Sequence, residues 1–197
     1  MKVTPEDEDA RLMELVAQGD KAAFAKLFDR YQGAVVRFAW RFVGSQARAE
    51  ELAQEIFFKL FKSARSYRPS AKFKTFLFRV ATNHCLNEVR RGDYRVMEPH
   101  KDAQHDTSEA VGQRPDDALE GKRLEAAVGQ ALGKMSERER AAFSMCRFEG
   151  MAYRDIAEAL EASEAAVKSL IHRATLQVVT QVELLKAGLS ANRRAGS

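Results

Sequence analysis

The sequence contains few of the features that mark enzymes, metal sites or disulfide-bonded proteins. Only two cysteines, Cys85 and Cys146, occur among its 197 residues, far apart and each in an apolar helical context. Isolated thiols of this kind are typical of buried, reduced side chains, and a disulfide framework or a zinc site needs more of them at closer spacing. No glycine-rich phosphate loop and no Ser–His–Asp arrangement stands out. We therefore predict no catalytic residue, no metal, no cofactor and no enzymatic activity.

Long apolar runs are also missing. None approaches the ~20 residues that a membrane helix needs, and the first ten residues, MKVTPEDEDA, are acidic and polar, unlike a signal peptide. With reduced cysteines, this predicts a cytoplasmic protein without membrane insertion. The net charge of +4 is modest, so basic residues argue for a nucleic-acid partner only where they cluster.

Strand-like alternation is absent, and apolar residues recur at helical spacing along most of the chain. The exception is the segment 93–115, which is polar and which we interpret as a flexible linker. We predict an all-α protein with two small helical domains, 8–92 and 116–185, the second containing a helix-turn-helix. The C-terminal tail, 186–197, is expected to be frayed.

Capping signals divide the helices. Asp20 is a suitable N-cap, and Gly44 interrupts the apolar stripe that follows it. Ser136 and Glu139 have the spacing of a capping box, in which each side chain bonds the other residue's backbone N–H. Ser163 is placed to cap the last helix.

The segment from Tyr153 to Ala174, YRDIAEALEASEAAVKSLIHRA, has the spacing of a DNA-reading helix-turn-helix. Its second helix places Val167, Leu170 and Ile171 on one side. The opposite side carries Ala165, Lys168, Ser169, His172 and Arg173. Outward cations suit phosphates and base edges, although an ordinary helical hairpin with a solvated face has a similar pattern.

The helix expected from about Phe73 to Arg91 is basic. Residues 72–91 contain five Lys or Arg residues and one acid, Glu88. We expect Phe76 to be exposed on a face shared with Arg79, Asn83, Asn87 and Arg90. Stacking, charge and amide hydrogen bonds together are used to hold single-stranded nucleic acid. The alternative is a basic surface helix with Phe76 in the core.

The helix before it has an acidic face with Glu51, Gln54, Glu55 and Phe58. An acidic face with an exposed aromatic cannot favour DNA, but it can serve as a protein-docking surface. A simple solvated face is the alternative.

Four motifs in this order resemble those of a known family. The segments VAQGDKAAFAKLFDRY, ARAEELAQEIFFKLFK, FKTFLFRVATNHCLNEVRR and MSERERAAFSMCRFEGMAYRDIAEALEASEAAVKSLIHRA resemble bacterial RNA polymerase sigma factors of the extracytoplasmic-function (ECF) type, in the sigma-70 family. The resemblance implies a region two domain and a region four domain. It also implies a factor that binds core RNA polymerase and directs initiation at promoters.

The resemblance also implies residue roles. Polymerase would be bound by Glu50, Glu51, Gln54, Glu55 and Phe58. The melted, non-template −10 strand would be bound by Lys72, Lys74, Thr75, Phe76, Arg79, Asn83, Asn87, Arg90 and Arg91. The duplex −35 element would be bound by Arg154, Ser163, Glu164, Ala165, Lys168, Ser169, His172 and Arg173. An anti-sigma protein is an expected further partner.

The helix-turn-helix departs from the family pattern. Glu161 stands in the turn where the family usually has Gly, and Ala165 and Ala166 replace a Gly-Thr pair. Leu170 occupies a position where Arg is frequent. The Thr hydroxyl and the Arg guanidinium of the family pattern are missing, which removes potential DNA contacts. We therefore expect −35 specificity to be the property in which this chain differs most from its family.

Two rival functions remain open. One is a stand-alone helix-turn-helix regulator that binds operator DNA. It needs neither the basic helix at 73–91 nor the acidic helix before it. The other is a degenerate sigma-like protein that binds polymerase without melting promoters.

Overall fold

The computed structural model describes residues 5–68, 72–91 and 115–195. Within these ranges the chain is helical and contains no strand, which confirms the all-α prediction. The helices are α1 (Pro5–Ala17), α2 (Lys21–Val43), α3 (Gln46–Lys62), α4 (Phe73–Arg91), α5 (Pro115–Lys134), α6 (Glu137–Arg147), α7 (Tyr153–Ala159) and α8 (Glu164–Ala195), with a 3-10 turn at Ala64–Ser66 between α3 and α4. Most of the segment interpreted as a linker lies outside the described residues.

The predicted caps are confirmed. The Asp20 carboxylate accepts hydrogen bonds from the backbone N–H groups of Ala22 at 2.8 Å and Ala23 at 3.0 Å. Gly44, with φ of 67°, ends α2 in the left-handed conformation that glycine adopts without steric cost. Ser136 and Glu139 form both hydrogen bonds of the capping box at the start of α6.

Helices α1–α4 form the first domain around an aromatic core. Phe38, Phe42 and Phe78 are completely or almost completely buried there. The rings of Phe38 and Phe78 meet edge to face, with centroids 5.2 Å apart, a geometry that adds to the burial of their apolar area. These contacts fix α4 across α2, so the basic helix is a rigid part of the first domain.

Helices α5–α8 form the second domain. α8 packs along α5 and α6 and also holds α7, with Val167, Ile171 and Ala174 buried against them. It spans 32 residues, or ~48 Å at 1.5 Å per residue. The expectation of a frayed tail after Lys186 is wrong as far as Ala195, because the same helix continues to that residue.

The two domains pack directly against each other. α4 and α2 of the first domain contact α7 and α6 of the second, and one apolar cluster runs through both. The Arg41 guanidinium lies 3.8 Å from the centroid of the Phe148 ring, and that of Arg140 lies 5.6 Å from the Phe42 ring. Burial lowers the pKa of each arginine to about 10.

Candidate nucleic-acid and polymerase interfaces

The helix-turn-helix is formed by α7, a tight turn and the first part of α8. Val167, Leu170 and Ile171 face inward as predicted. Glu161 adopts a φ of 49° in the turn, in the left-handed region that glycine usually occupies. The backbone N–H of Ala162 donates to the carbonyl of Ala157 at 2.9 Å, so the turn is hydrogen-bonded despite this strain.

Hydrogen bonds from neighbouring side chains hold the turn in place. The Ser163 hydroxyl accepts from the backbone N–H of Ala166 at 3.2 Å, which confirms it as a cap. Arg138 of α6 donates to the carbonyl of Leu160 at 2.8 Å and satisfies the end of α7. The start of α8 is therefore fixed relative to α6 and α7.

We call the solvent-facing side of this motif the recognition surface. All its predicted −35 residues are exposed, namely Arg154, Ser163, Glu164, Ala165, Lys168, Ser169, His172 and Arg173. Arg173 also donates to the Glu139 carboxylate at 2.6 Å. Burial acts to raise the pKa of Glu139, but hydrogen bonds from Arg173 and Ser136 outweigh it and lower that pKa. Glu139 thus holds the Arg173 guanidinium at the edge of the surface.

The basic face of α4 carries Asn83, Asn87, Arg90 and Arg91 exposed and Arg79 partly exposed, as predicted. The expectation of an exposed Phe76 is wrong, because its side chain is 4% accessible. Its ring packs 5.3 Å from the Tyr67 ring and beneath the Arg79 guanidinium. Thr75 is also buried, at 2%, so both residues support the face from within.

Three predicted −10 cations contact the second domain. The Lys72 ammonium lies 3.1 Å from the Asp155 carboxylate. That of Lys74 donates to the backbone carbonyl of Glu149. The Arg90 guanidinium lies 3.7 Å from the Glu137 carboxylate. The domain packing therefore involves the same side chains that the sequence assigns to DNA.

These acidic partners are positioned by the ends of short helices. Asp155 lies in the first turn of α7, where a carboxylate interacts favourably with the helix dipole. Glu149 lies in the turn after α6, beside Gly150, and its side chain is 7% accessible. Burial raises the pKa of Glu149, partly opposed by Lys74 and Arg41.

We call the solvent-facing side of α3 the acidic surface. Its members Glu50, Glu51, Gln54, Glu55 and Phe58 are all exposed as predicted. Phe58 is 58% accessible, and the Lys62 ammonium lies 4.3 Å from the centre of its ring. An apolar ring among carboxylates on a rigid helix provides both the anchor and the charge for a protein partner.

Arg48 supports this surface from beneath. Its guanidinium lies 2.8 Å from the Glu51 carboxylate and 3.4 Å from that of Glu55, and it also bonds Glu88 of α4. Hydrogen bonds to Glu88 and Glu51 raise the pKa of Arg48, so it stays charged. The network ties the acidic surface to the helix that carries the basic face.

A second connection between α3 and α4 passes through His84, which is buried. Its Nδ1 lies 2.6 Å from the Lys59 ammonium, and its Nε2 lies 2.8 Å from the Glu55 carboxylate. Sequence reasoning missed Lys59, Glu149 and Asp155 as members of the sites. Of these three, only Lys59 had a signal in the sequence, because it lies in the basic last turn of α3.

The described ranges contain neither a cluster suited to a metal ion nor a membrane-spanning helix. No group of three or more His, Cys, Asp or Glu side chains there is arranged to hold a metal ion. No helix in the same ranges combines the length and apolar character needed to span a bilayer.

The two helical domains match two separate family descriptions. Residues 27–94 match the family described as Sigma-70 region 2, and residues 125–177 match Sigma-70, region 4. The first match contains the acidic surface and α4, and the second contains the recognition surface. This chain belongs to the sigma-70 family.

Curated relatives place this chain among the extracytoplasmic-function (ECF) sigma factors. The RNA polymerase sigma-H factor of Pseudomonas aeruginosa is 32% identical over 178 residues, covering 86% of this chain and 91% of that protein. The ECF RNA polymerase sigma factor SigE of Mycolicibacterium smegmatis is 34% identical over 180 residues, covering 89% of this chain and 69% of that protein. The ECF RNA polymerase sigma-E factor of Escherichia coli is 28% identical, covering 90% and 95%.

Solved structures show the same fold. CnrH, solved in complex with the cytosolic domain of CnrY, superimposes with a TM-score of 0.68 at 23% identity, covering 90% of this chain and 99% of that one. The sigma factor RpoE of Bartonella quintana, solved with the anti-sigma factor NepR, gives 0.61 at 18% identity, covering 81% and 96%. The fold of this sigma factor is thus shared across low sequence identity.

Proposed function

We propose that this sigma factor binds core RNA polymerase and directs promoter-specific initiation by recognising a −10 and a −35 element. The observation that carries the proposal is the presence, in one chain, of an exposed acidic docking surface, a basic helix beside it and a helix-turn-helix. It acts by binding alone and has no catalytic activity of its own.

The first domain, proposed to span 8–92, docks on polymerase through the acidic surface. Phe58 supplies the apolar anchor, and Glu51 and Glu55 supply charge held in place by Arg48. Because α3 is braced against α4 by Glu88 and His84, docking also sets the orientation of the basic face on the enzyme.

The basic face of α4 binds the unpaired −10 strand. Asn83 and Asn87 are exposed on successive turns and present amide donors and acceptors to bases. Arg79, Arg90 and Arg91 supply charge for the phosphates. Phe76 acts from beneath the face by supporting the Arg79 guanidinium, and Thr75, Lys72 and Lys74 complete the set.

The second domain, proposed to span 116–185, binds the −35 element as duplex. Lys168, His172 and Arg173 share the exposed side of α8, and Ser163 and Arg154 lie near its start, where phosphates approach a helix N-terminus. The linker at 93–115 joins the two DNA-binding domains in one chain, so the free energies of −10 and −35 binding combine within one complex.

Two solved neighbours with this fold point to one further partner. Two neighbours with this fold were solved with proteins bound to them, one of which is named an anti-sigma factor. We infer that an anti-sigma protein binds this chain too and that the chain works in the cytoplasm, where polymerase and promoters are.

A stand-alone regulator is the alternative function. It accounts for the helix-turn-helix but assigns no role to an exposed Phe58 among carboxylates. Run-off transcription with purified core polymerase and genomic DNA fragments separates the two. We expect defined transcripts that require the added chain. Absence of specific initiation, with retention of duplex binding by the chain alone, would support the regulator instead.

A further inference from the structure

The first turn of α6 contacts both helices of the helix-turn-helix. Arg138 donates to the carbonyl of Leu160 at the end of α7, and Glu139 accepts from Arg173 of α8. Glu139 is 8% accessible, and the sequence indicates only a capping role for it. Its contact with Arg173 nevertheless joins a buried carboxylate to a side chain of the recognition surface.

The two oxygens of the Glu139 carboxylate have separate partners. Oε2 accepts from the backbone N–H of Ser136 at 3.0 Å, which is the capping-box bond. Oε1 accepts from Nε of Arg173 at 2.6 Å, a charge-assisted bond that is stronger than a neutral one. Against the effect of burial, the hydrogen bonds from Arg173 and Ser136 lower the pKa of Glu139. The carboxylate therefore stays charged at neutral pH and keeps both partners.

The contact with Glu139 uses one nitrogen of the Arg173 guanidinium and leaves the other two open. Within the described part of the chain, the Arg173 side chain makes this one hydrogen bond, through Nε. Nη1 and Nη2 remain for an outside partner, and the Arg173 side chain is 54% accessible where that of Glu139 is 10% accessible. A guanidinium of fixed orientation presents two donors to two neighbouring acceptors, and the O6 and N7 atoms of guanine in the major groove are such a pair.

We propose that Glu139 is a positioning residue for base readout, and that the Arg173 guanidinium it orients binds a guanine of the duplex element through Nη1 and Nη2. The inference rests on the part of the proposed function in which the recognition surface binds duplex DNA. It deepens that function, because a buried residue outside the surface then determines which base pair is preferred. A phosphate contact would need the charge of Arg173 but not a fixed orientation.

The test measures which sequences the full-length chain selects from a pool of duplexes with a short randomised segment, alone and with core polymerase, by sequencing the bound fraction. The wild-type chain should prefer guanine at one position by roughly five- to 140-fold, the range that a good bidentate pair supplies. Arg173→Lys keeps the charge but lacks the two-nitrogen fork. The preference at this position should therefore be lost, while the salt dependence of duplex binding remains.

Glu139→Gln separates positioning from capping. Glutamine completes a capping box as glutamate does, but its one acceptor oxygen is then used by the Ser136 N–H, and its NH₂ group faces the Arg173 donor. We expect this variant to remain folded in thermal melting and to lose most of the preference for guanine. In the Arg173→Lys background, Glu139→Gln should have no further effect on the preference.

Ser136→Ala is the control for a merely structural role. It removes the hydroxyl that accepts from the backbone N–H of Glu139 and leaves the contact of Glu139 with Arg173 in place. It should therefore lower the melting temperature through the lost cap and leave the base preference unchanged. An equal loss of preference in Ser136→Ala and Glu139→Gln would show that the stability of α6 sets the preference, and would overturn the proposal.

The outcomes separate this role of Glu139 from the function on which it rests. A wild-type chain that selects no guanine, or a preference that either Arg173→Lys or Glu139→Gln leaves intact, overturns the proposed role. Specific run-off transcripts in that case leave the proposed function intact. A guanine preference that depends on both residues, without any specific initiation, would support the role of Glu139 and refute promoter-directed initiation.

Discussion

The ammonium group of Lys74 donates to the backbone carbonyl of Glu149 and lies 3.8 Å from the Glu149 carboxylate. A residue proposed to bind −10 DNA is thus held by the domain proposed to read the −35 element. Lys72 and Asp155 repeat this relationship at 3.1 Å. If these residues bind DNA as proposed, DNA phosphates and the acidic groups of the second domain compete for the same cations.

Asp155→Asn tests this competition. Removing the carboxylate should weaken the domain contact, increase the radius of gyration in small-angle scattering and tighten binding of single-stranded DNA. A partly exposed ion pair contributes up to about 1 kcal/mol, so the gain in affinity should reach at most about fivefold.

Glu158→Gln is the control for the change in net charge, because Glu158 is exposed on the same helix. It should leave the radius of gyration unchanged. Equal gains in affinity from both variants would mean that general repulsion, and not the Lys72 contact, explains the result.

Glu161→Gly should stabilise the second domain. The left-handed φ of 49° at this residue costs a residue with a Cβ about 1 kcal/mol more than glycine. Urea unfolding should show a gain of this size, and Glu161→Ala should show none. A loss of stability in the glycine variant would show that the backbone at Glu161 is not strained.

Lys168→Ala should reduce duplex binding without changing sequence preference. If Lys168 contacts one phosphate, the slope of log affinity against log salt should fall by about 1. Lys134→Ala, which alters an exposed lysine at the end of α5, should preserve the slope. An unchanged slope for Lys168→Ala would remove this residue from the interface.

Glu55→Lys should weaken binding to core polymerase while the chain remains helical. The substitution reverses a charge on the acidic surface and places a cation beside Arg48 and His84. Co-purification with core measures the effect, and Glu125→Lys in α5 is the control because it reverses an exposed charge away from this surface. Equal recovery of core by both variants would argue against docking through α3.

Stability should depend on pH through His84. Its folded-state pKa lies below the ordinary value because of burial and Lys59, against the opposing effect of Glu55 and Glu88. The unfolded chain therefore binds the proton first as pH falls. The stability due to the neutral ring is fully present above about 6.5, the unfolded pKa, and is lost as pH falls toward the folded pKa.

His84→Gln should abolish this component. Urea unfolding from pH 8 to pH 5 should give a flatter profile for the variant than for the wild type in the range below about 6.5. Parallel profiles would show that another group titrates there.

Helical periodicity allowed much of the fold to be predicted. The stripe through Val167 and Ile171 is buried as expected, and Leu52, Ile56 and Leu60, which recur at helical spacing in α3, are buried too. In each case one side of the helix meets a core and the other meets solvent, which is the arrangement that a 3.6-residue period describes.

Phe76 shows where this reasoning fails. Its helix is covered on more than one side, by Tyr67 within the first domain and by α6 and α7 of the second. A single apolar stripe cannot describe such a helix. The contacts of Lys72 with Asp155 and of Lys59 with His84 also depend on tertiary placement, which no local pattern encodes.

The packing of Arg41 against Phe148 has a consequence for how promoter affinity is set. When only separated domains can bind the −10 strand, the apparent affinity equals the intrinsic affinity multiplied by the fraction of molecules in which the domains have parted. Changes at the contact then scale the affinity for every promoter by one common factor. The domain interface would thus tune the sensitivity of initiation, and the DNA-facing residues alone would determine which promoters are chosen.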